Sequence, residues 1–222
     1  MAKCIQPAEI VSTVPRVSAA VLEGSVIVNM TKPKQNQSFK SYAAESFYPR
    51  VKKYQIEYQS QRIDVVFDTY KSSSLKAATR TKRGKGIRRK VQNDSIAPTN
   101  WHAFLSEELM INTDGQTELT CAYATTCITN NGQSTSSFIS PCNHEEADTR
   151  VFLHVNDMSL QGHTKITVRT VDIDVLVIAV SVFARLKDQL EELWIDFGTG
   201  KHRQFIPIHS IFINLGESKA IR

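Results

Sequence analysis

The chain has 222 residues, 41% of them hydrophobic, enough to bury one sizeable core and to make a single domain the expectation. The first twenty residues, MAKCIQPAEIVSTVPRVSAA, lack the apolar stretch of a signal peptide, and the longest apolar run, VLVIAV from Val175, is too short to span a bilayer, so a soluble intracellular protein is expected. Net charge is +5, yet nine of the 27 lysines and arginines fall between residues 69 and 93, a segment with no acid.

Residues 1–18 read as an N-terminal tail. From Ala19, AAVLEGSVIVNM is apolar on both sides of Glu23 and Gly24, as in a buried strand that ends and gives way to a new element. KSYAAESFYPRVKKYQIEYQ spaces Tyr42, Phe47, Val51 and Tyr54 at three- to five-residue steps, which suits an amphipathic helix with a kink or break at Pro49. IDVVFDTY from Ile63 is a second strand, broken by Asp68. The basic segment 69–93 follows. Clustered lysine and arginine gain affinity for polyanions by displacing phosphate counterions, which suggests a polyanion partner; on charge alone a solvated or disordered basic loop, or a nuclear-import signal in KRGKGIRRK, is the plainer expectation.

The polar insertion 94–140 is rich in Thr, Ser and Asn from Asn112 onward and carries the turn signals TDG and NNG, so a hairpin or long insertion is expected there. HEEADTRVFLHVNDMSLQG then predicts a helix through Val155 with Gly162 as its stop. TKITVRT is a short strand, DVLVIAVSVFARLK a buried helix, and EELWIDFGTG a further strand ending in a glycine turn. Strands alternating with helices predict an α/β fold with a mainly parallel central sheet flanked by helices. Cys4, Cys121, Cys127 and Cys142 match neither a disulfide scaffold nor a zinc knuckle. A site made from the last three with His144 fits no standard ligand spacing.

The acids fall at the ends of the strands. Glu23 and Asp68 each follow an apolar strand, Asp172 and Asp174 follow ITVRT, and Glu146 with Asp148 opens a helix. Ligands of an open parallel sheet bind beyond the carboxyl ends of its strands, so all six acids are expected to meet in one cleft. Oxygen-only ligands select Mg²⁺ or Mn²⁺, which would also relieve the repulsion between the carboxylates. The competing expectation is ordinary capping: Asn143 with Glu146 as a capping box, Asp172 or Asp174 at the start of DVLVIAV, and Asp68 at the start of whatever follows it.

The order VLEGS, VVFDTYKSSSLKAATRTKR, EEADTR and TVDIDVLVIA resembles the core of the flap endonuclease and XPG-type structure-specific nucleases, whose fold belongs to the PIN-like group. The chain as a whole, including ELWIDFGTGKH, also resembles uncharacterised, often multicopy animal proteins of mobile-element character. The resemblance implies one PIN-like domain over 19–222 and a divalent-metal-dependent phosphodiester hydrolase acting on DNA or RNA, DNA being favoured, in the nucleus. By position it makes Asp68, Glu146, Asp148, Asp172 and Asp174 metal ligands and Lys76 and Arg83 the residues that hold the scissile phosphate. Arg80, Lys82, Lys85, Arg88 and Arg89 would follow the nucleic-acid backbone.

Two departures from that family stand out. Glu23 occupies the place of its first Asp, and the Gly-Cys-Asp or Gly-Ser-Asp turn that carries a further ligand does not occur before Arg222. The expected domain is therefore C-terminally truncated and its two-metal site incomplete. The alternative function is a catalytically impaired nucleic-acid-binding relic of a mobile-element nuclease. A haloacid-dehalogenase-type phosphotransferase using Asp172 and Asp174 fits less well, since that family sets its Asp-x-Asp near the start of the domain.

Overall fold

The computed structural model describes residues 11–67, 92–106 and 147–216, together with the backbone of two short strands at 127–128 and 134–135. Its centre is a five-stranded sheet. Strand β1 (Ala19–Glu23) leads directly into helix α1 (Gly24–Met30). Helix α2 (Phe39–Tyr42), a π-helical turn (Ala43–Phe47) and helix α3 (Tyr48–Tyr58) then form one continuous rod that returns to strand β2 (Arg62–Val66). Helix α4 (Trp101–Ser106) and a small antiparallel pair, β3 (Cys127–Ile128) with β4 (Ser134–Thr135), precede helix α5 (Ala147–Leu160) and strand β5 (Lys165–Thr170). Helix α6 (Ile173–Leu186), strand β6 (Glu192–Phe197), strand β7 (Gln204–Pro207) and helix α7 (Ile208–Leu215) complete the order.

Local chemistry explains most of these boundaries. Ser38 caps α2 by accepting from Ser41 N at 3.2 Å, and Asn100 caps α4 by accepting from Ala103 N at 3.1 Å. Pro49 has no N–H to donate and its ring crowds the carbonyl four residues back; the chain widens into the π turn immediately before it, which absorbs the expected break without ending the rod. Gln59 closes α3 in the left-handed conformation (φ 57°), and Gly162 (φ 87°) lies just past the end of α5, where a side chain would strain the backbone.

The strand order is β2-β1-β5-β6-β7, parallel throughout except for β7, which runs antiparallel to β6. The α/β class and the mainly parallel sheet are as the sequence implied. β7 and α7 are additional elements that the sequence reading did not resolve. Residues of opposite parity on each strand face two separate cores. Ala19, Val21, Ile166, Val168, Leu193 and Ile195 pack with α5, α6 and α7. Ala20, Leu22 and Val65 pack on the other face with Ile27, Tyr42, Val51, Tyr58 and Trp101 from the α1 to α4 side.

Two sequence expectations change here. Within the stretch read as a tail, Val11 exchanges backbone hydrogen bonds with Phe205 (3.1 and 3.0 Å) in a single isolated bridge to the edge strand, and Val17 is buried, so part of that stretch packs on the domain. Helix α6, read as buried, is buried along Val175, Ala179, Phe183 and Leu186 only; Ile173 and Val177 are 57% and 63% exposed. A run of consecutive apolar residues carries no helical periodicity, so which stripe faces the core is settled by packing. Among the described residues no helix is long and apolar enough to cross a membrane.

Candidate functional site

The chain leaves β1 through α1 onto one face of the sheet and leaves β5 through α6 onto the other. Such a reversal between adjacent parallel strands opens a crevice at their carboxyl ends, the usual ligand position in open α/β sheets. Leu22 pairs in register with Arg169, so Glu23 and Thr170 are the last residues on either side of that crevice.

Thr170 Oγ1 donates to Glu23 Oε2 at 2.7 Å and accepts from the backbone N–H of Asp172 at 3.0 Å. The other carboxylate oxygen of Glu23 accepts from Ser25 Oγ. Asp172 turns its Oδ1 onto the N–H of Asp174 at 2.9 Å and so caps α6. Capping, the plainer expectation for Asp172, is thus realised, and it leaves Oδ2 of that carboxylate outside the cap. Asp174 lies in the first turn of α6 and is exposed; Asp148 lies in the first turn of α5 and is half-buried.

Of the six acids expected to converge, the structure joins the Glu23 carboxylate to the backbone N–H of Asp172 through one hydroxyl, and Asp174 follows Asp172 by two residues. Asp148 belongs to a separate helix. Asp68 and Glu146 lie outside the described residues, each one position beyond a described end. Lys76, Arg83, Arg80, Lys82, Lys85, Arg88 and Arg89 also lie outside them, as do the side chains of Cys121, Cys127, Cys142 and His144. The donors present at the crevice are hard oxygens, the chemistry that suits Mg²⁺ or Mn²⁺. Among the described residues no three or more His, Cys, Asp or Glu side chains stand together as a metal-holding group. The fit is therefore one of donor type, carried by Glu23, Asp172 and Asp174, rather than of an assembled shell.

Behind the crevice is a buried polar network that sequence reasoning missed. Arg169, fully buried, donates from Nη1 to the carbonyls of Thr170 (2.7 Å) and Asp196 (2.9 Å) and from Nη2 to the carbonyl of Gly198 (2.5 Å). It thereby ties the carboxyl ends of β5 and β6 together. Asp196, also fully buried, accepts from Tyr58 Oη and from Arg203 Nε (2.9 Å, Oδ1) and Nη2 (2.7 Å, Oδ2). Arg203 in turn pairs with Glu57 at 2.7 Å and lies over the rings of Tyr54 and Phe205. Burial, followed by the charge of Asp196, pushes the Tyr58 phenol well above its ordinary value. A signal was available: TVRT and WIDF each put one charge inside an apolar strand of a sheet expected to be flanked by helices.

A second network fastens the edge strand. Arg62 pairs with Asp64 and Asp157, both at 2.7 Å, and His154 Nδ1 donates to Asp64 Oδ2 at 2.8 Å. These residues lie at the start and middle of β2 and along α5, away from the carboxyl ends of the strands, and act on the packing of the two elements.

Comparison with protein-family models, with curated proteins and with solved structures finds no match in any of the three.

Proposed function

We propose that the protein is a divalent-metal-dependent phosphodiester hydrolase of structure-specific nuclease type, acting on DNA or RNA, with a PIN-like domain resembling those of flap endonuclease and XPG-type enzymes. The observation that supports it is the joining of Glu23 and Asp172 through Thr170 at the reversal point of a parallel sheet. Glu23, Asp172 and Asp174 would hold the cation, with Asp68, Glu146 and Asp148 completing the shell. Bound Mg²⁺ or Mn²⁺ supplies a nucleophilic water at neutral pH and offsets charge on the phosphate. Lys76 and Arg83 bind the scissile phosphate, and Arg80, Lys82, Lys85, Arg88 and Arg89 follow the backbone, each neutralised phosphate adding salt-sensitive affinity. A nuclear location suits such a substrate and the run KRGKGIRRK.

The test is cleavage of branched and single-stranded DNA and RNA with Mg²⁺ or Mn²⁺. Metal-dependent cutting that falls by orders of magnitude in Asp174→Asn, with folding intact, is the expected result. Cutting that persists in EDTA refutes the metal mechanism. A second reading, a nucleic-acid-binding relic without catalysis, is favoured by one observation: both oxygens of Glu23 and Oδ1 of Asp172 already accept hydrogen bonds within the protein. Salt-dependent nucleic-acid binding without cleavage would select it.

A further inference from the structure

We infer that Thr170 is a positioning residue of the crevice, setting the Glu23 carboxylate and the Asp172 turn in one fixed relation for a divalent cation; this rests on the metal-dependent reading above. A backbone N–H can only donate, so Thr170 Oγ1 must act as acceptor toward Asp172 N, and its single proton is left for Glu23 Oε2. One hydroxyl therefore orients a carboxylate on β1 and the backbone of the turn entering α6. Glu23 Oε2 spends one lone pair on that bond and keeps another for a ligand.

The hydroxyl itself has little freedom. Thr170 is fully buried, its β-branched side chain has few χ1 choices, and Arg169 grips its carbonyl at 2.7 Å while holding the carbonyls of Asp196 and Gly198 on the next strand. Glu23, one methylene longer than aspartate, has an extra torsion that leaves its carboxylate mobile unless something pins it. Ser25 on one oxygen and Thr170 on the other do so. Outer-shell hydrogen bonds of this kind pre-pay the ordering of a ligand.

The experiment is Mn²⁺ titration of the full chain, read by the electron paramagnetic resonance of the free ion, with thermal unfolding followed by circular dichroism alongside. Thr170→Val and Thr170→Ala both remove the hydroxyl, one keeping the side-chain volume and the other reducing it. Thr170→Ser restores the hydroxyl. Loss of outer-shell support should raise the Mn²⁺ dissociation constant about 10-fold or more in the first two variants, with serine within about 2-fold of wild type. Recovery with serine at an unchanged melting temperature is something a purely structural threonine would not produce. Wild-type affinity in both hydroxyl-free variants overturns the inference and leaves the metal reading standing. A wild-type chain that takes up no Mn²⁺ overturns both.

Discussion

His154 on α5 donates from Nδ1 to Asp64 Oδ2 on β2 at 2.8 Å, across 90 residues of chain, and Asp64 is also the partner of Arg62. This contact joins the edge strand to the helix that covers it. Burial alone would raise the Asp64 carboxyl, but the hydrogen bonds from His154 and Arg62, with their charges, outweigh it and hold the group below its ordinary value.

The acid limb of stability follows from that shift. The unfolded chain takes up a proton on Asp64 before the folded one does, so the contribution is present above the unfolded carboxylate value of about 3.9 and is lost as pH falls through the lower folded value. Asp64→Asn should cost about 2–3 kcal/mol at pH 7 and flatten the fall in stability below about pH 4. Urea unfolding at a series of pH values measures both; an acid limb as steep as that of wild type would remove Asp64 from the account.

At the alkaline end the relevant group is Tyr58. Its folded value is raised, so its contribution is fully present below the unfolded phenol value of about 10 and is lost as pH rises above it. Tyr58→Phe removes one of three donors to Asp196 and should cost about 1–2 kcal/mol. Asp196→Asn removes the buried negative charge that faces Arg203 and Arg169, leaving Arg203 only Glu57 as an ionic partner, and should cost more, about 3–5 kcal/mol. Equal losses in the two variants would contradict this ranking.

Gly24 opens α1 directly beneath Phe67. A Cβ there would stand 2.4 Å from the Phe67 ring. Gly24→Ala must displace that ring, at a cost of about 1–3 kcal/mol, and the displacement reaches the residue before Asp68. Chemical denaturation gives the stability loss; Mn²⁺ affinity in the same variant should fall as well if Asp68 contributes a ligand.

Asp172 carries two roles that substitution can separate. As a cap it is replaceable by Asn with almost no loss, whereas Ala should cost about 1 kcal/mol. As a ligand it is replaceable by neither. Asp172→Asn should therefore keep wild-type stability and lose Mn²⁺ binding, and retention of both would make Asp172 a cap alone.

Much of the fold was legible because it is written in short-range terms. The strands at Ala19–Glu23, Lys165–Thr170 and Glu192–Phe197 are apolar runs bounded by polar residues, and Asp172 announces α6 by standing before it. The position of carboxylates at strand ends followed from the same reading. β7 was harder to see because QFIP is only four residues long and its pairing partner is set by a turn through Gly198 and Gly200, both at positive φ. The role of Thr170 was hidden too, since a threonine at the end of a strand looks the same whether its hydroxyl meets water or a carboxylate 147 residues away.

By itself the sequence determined most of the strands and helices up to β6, the α/β class and which chemistries were at hand: hard oxygen donors at strand ends and one concentrated basic segment. Periodicity, capping and turn preference act over a few residues, so they can be read locally. Only the tertiary structure decided that β1 lies between β2 and β5, that Glu23 and Asp172 share a hydroxyl, and that Arg169 and Asp196 are buried together. Those facts depend on strand register and on desolvation of charges far apart in the chain. Both are properties of the packed sheet as a whole, where moving a strand by one residue turns every side chain to the opposite face.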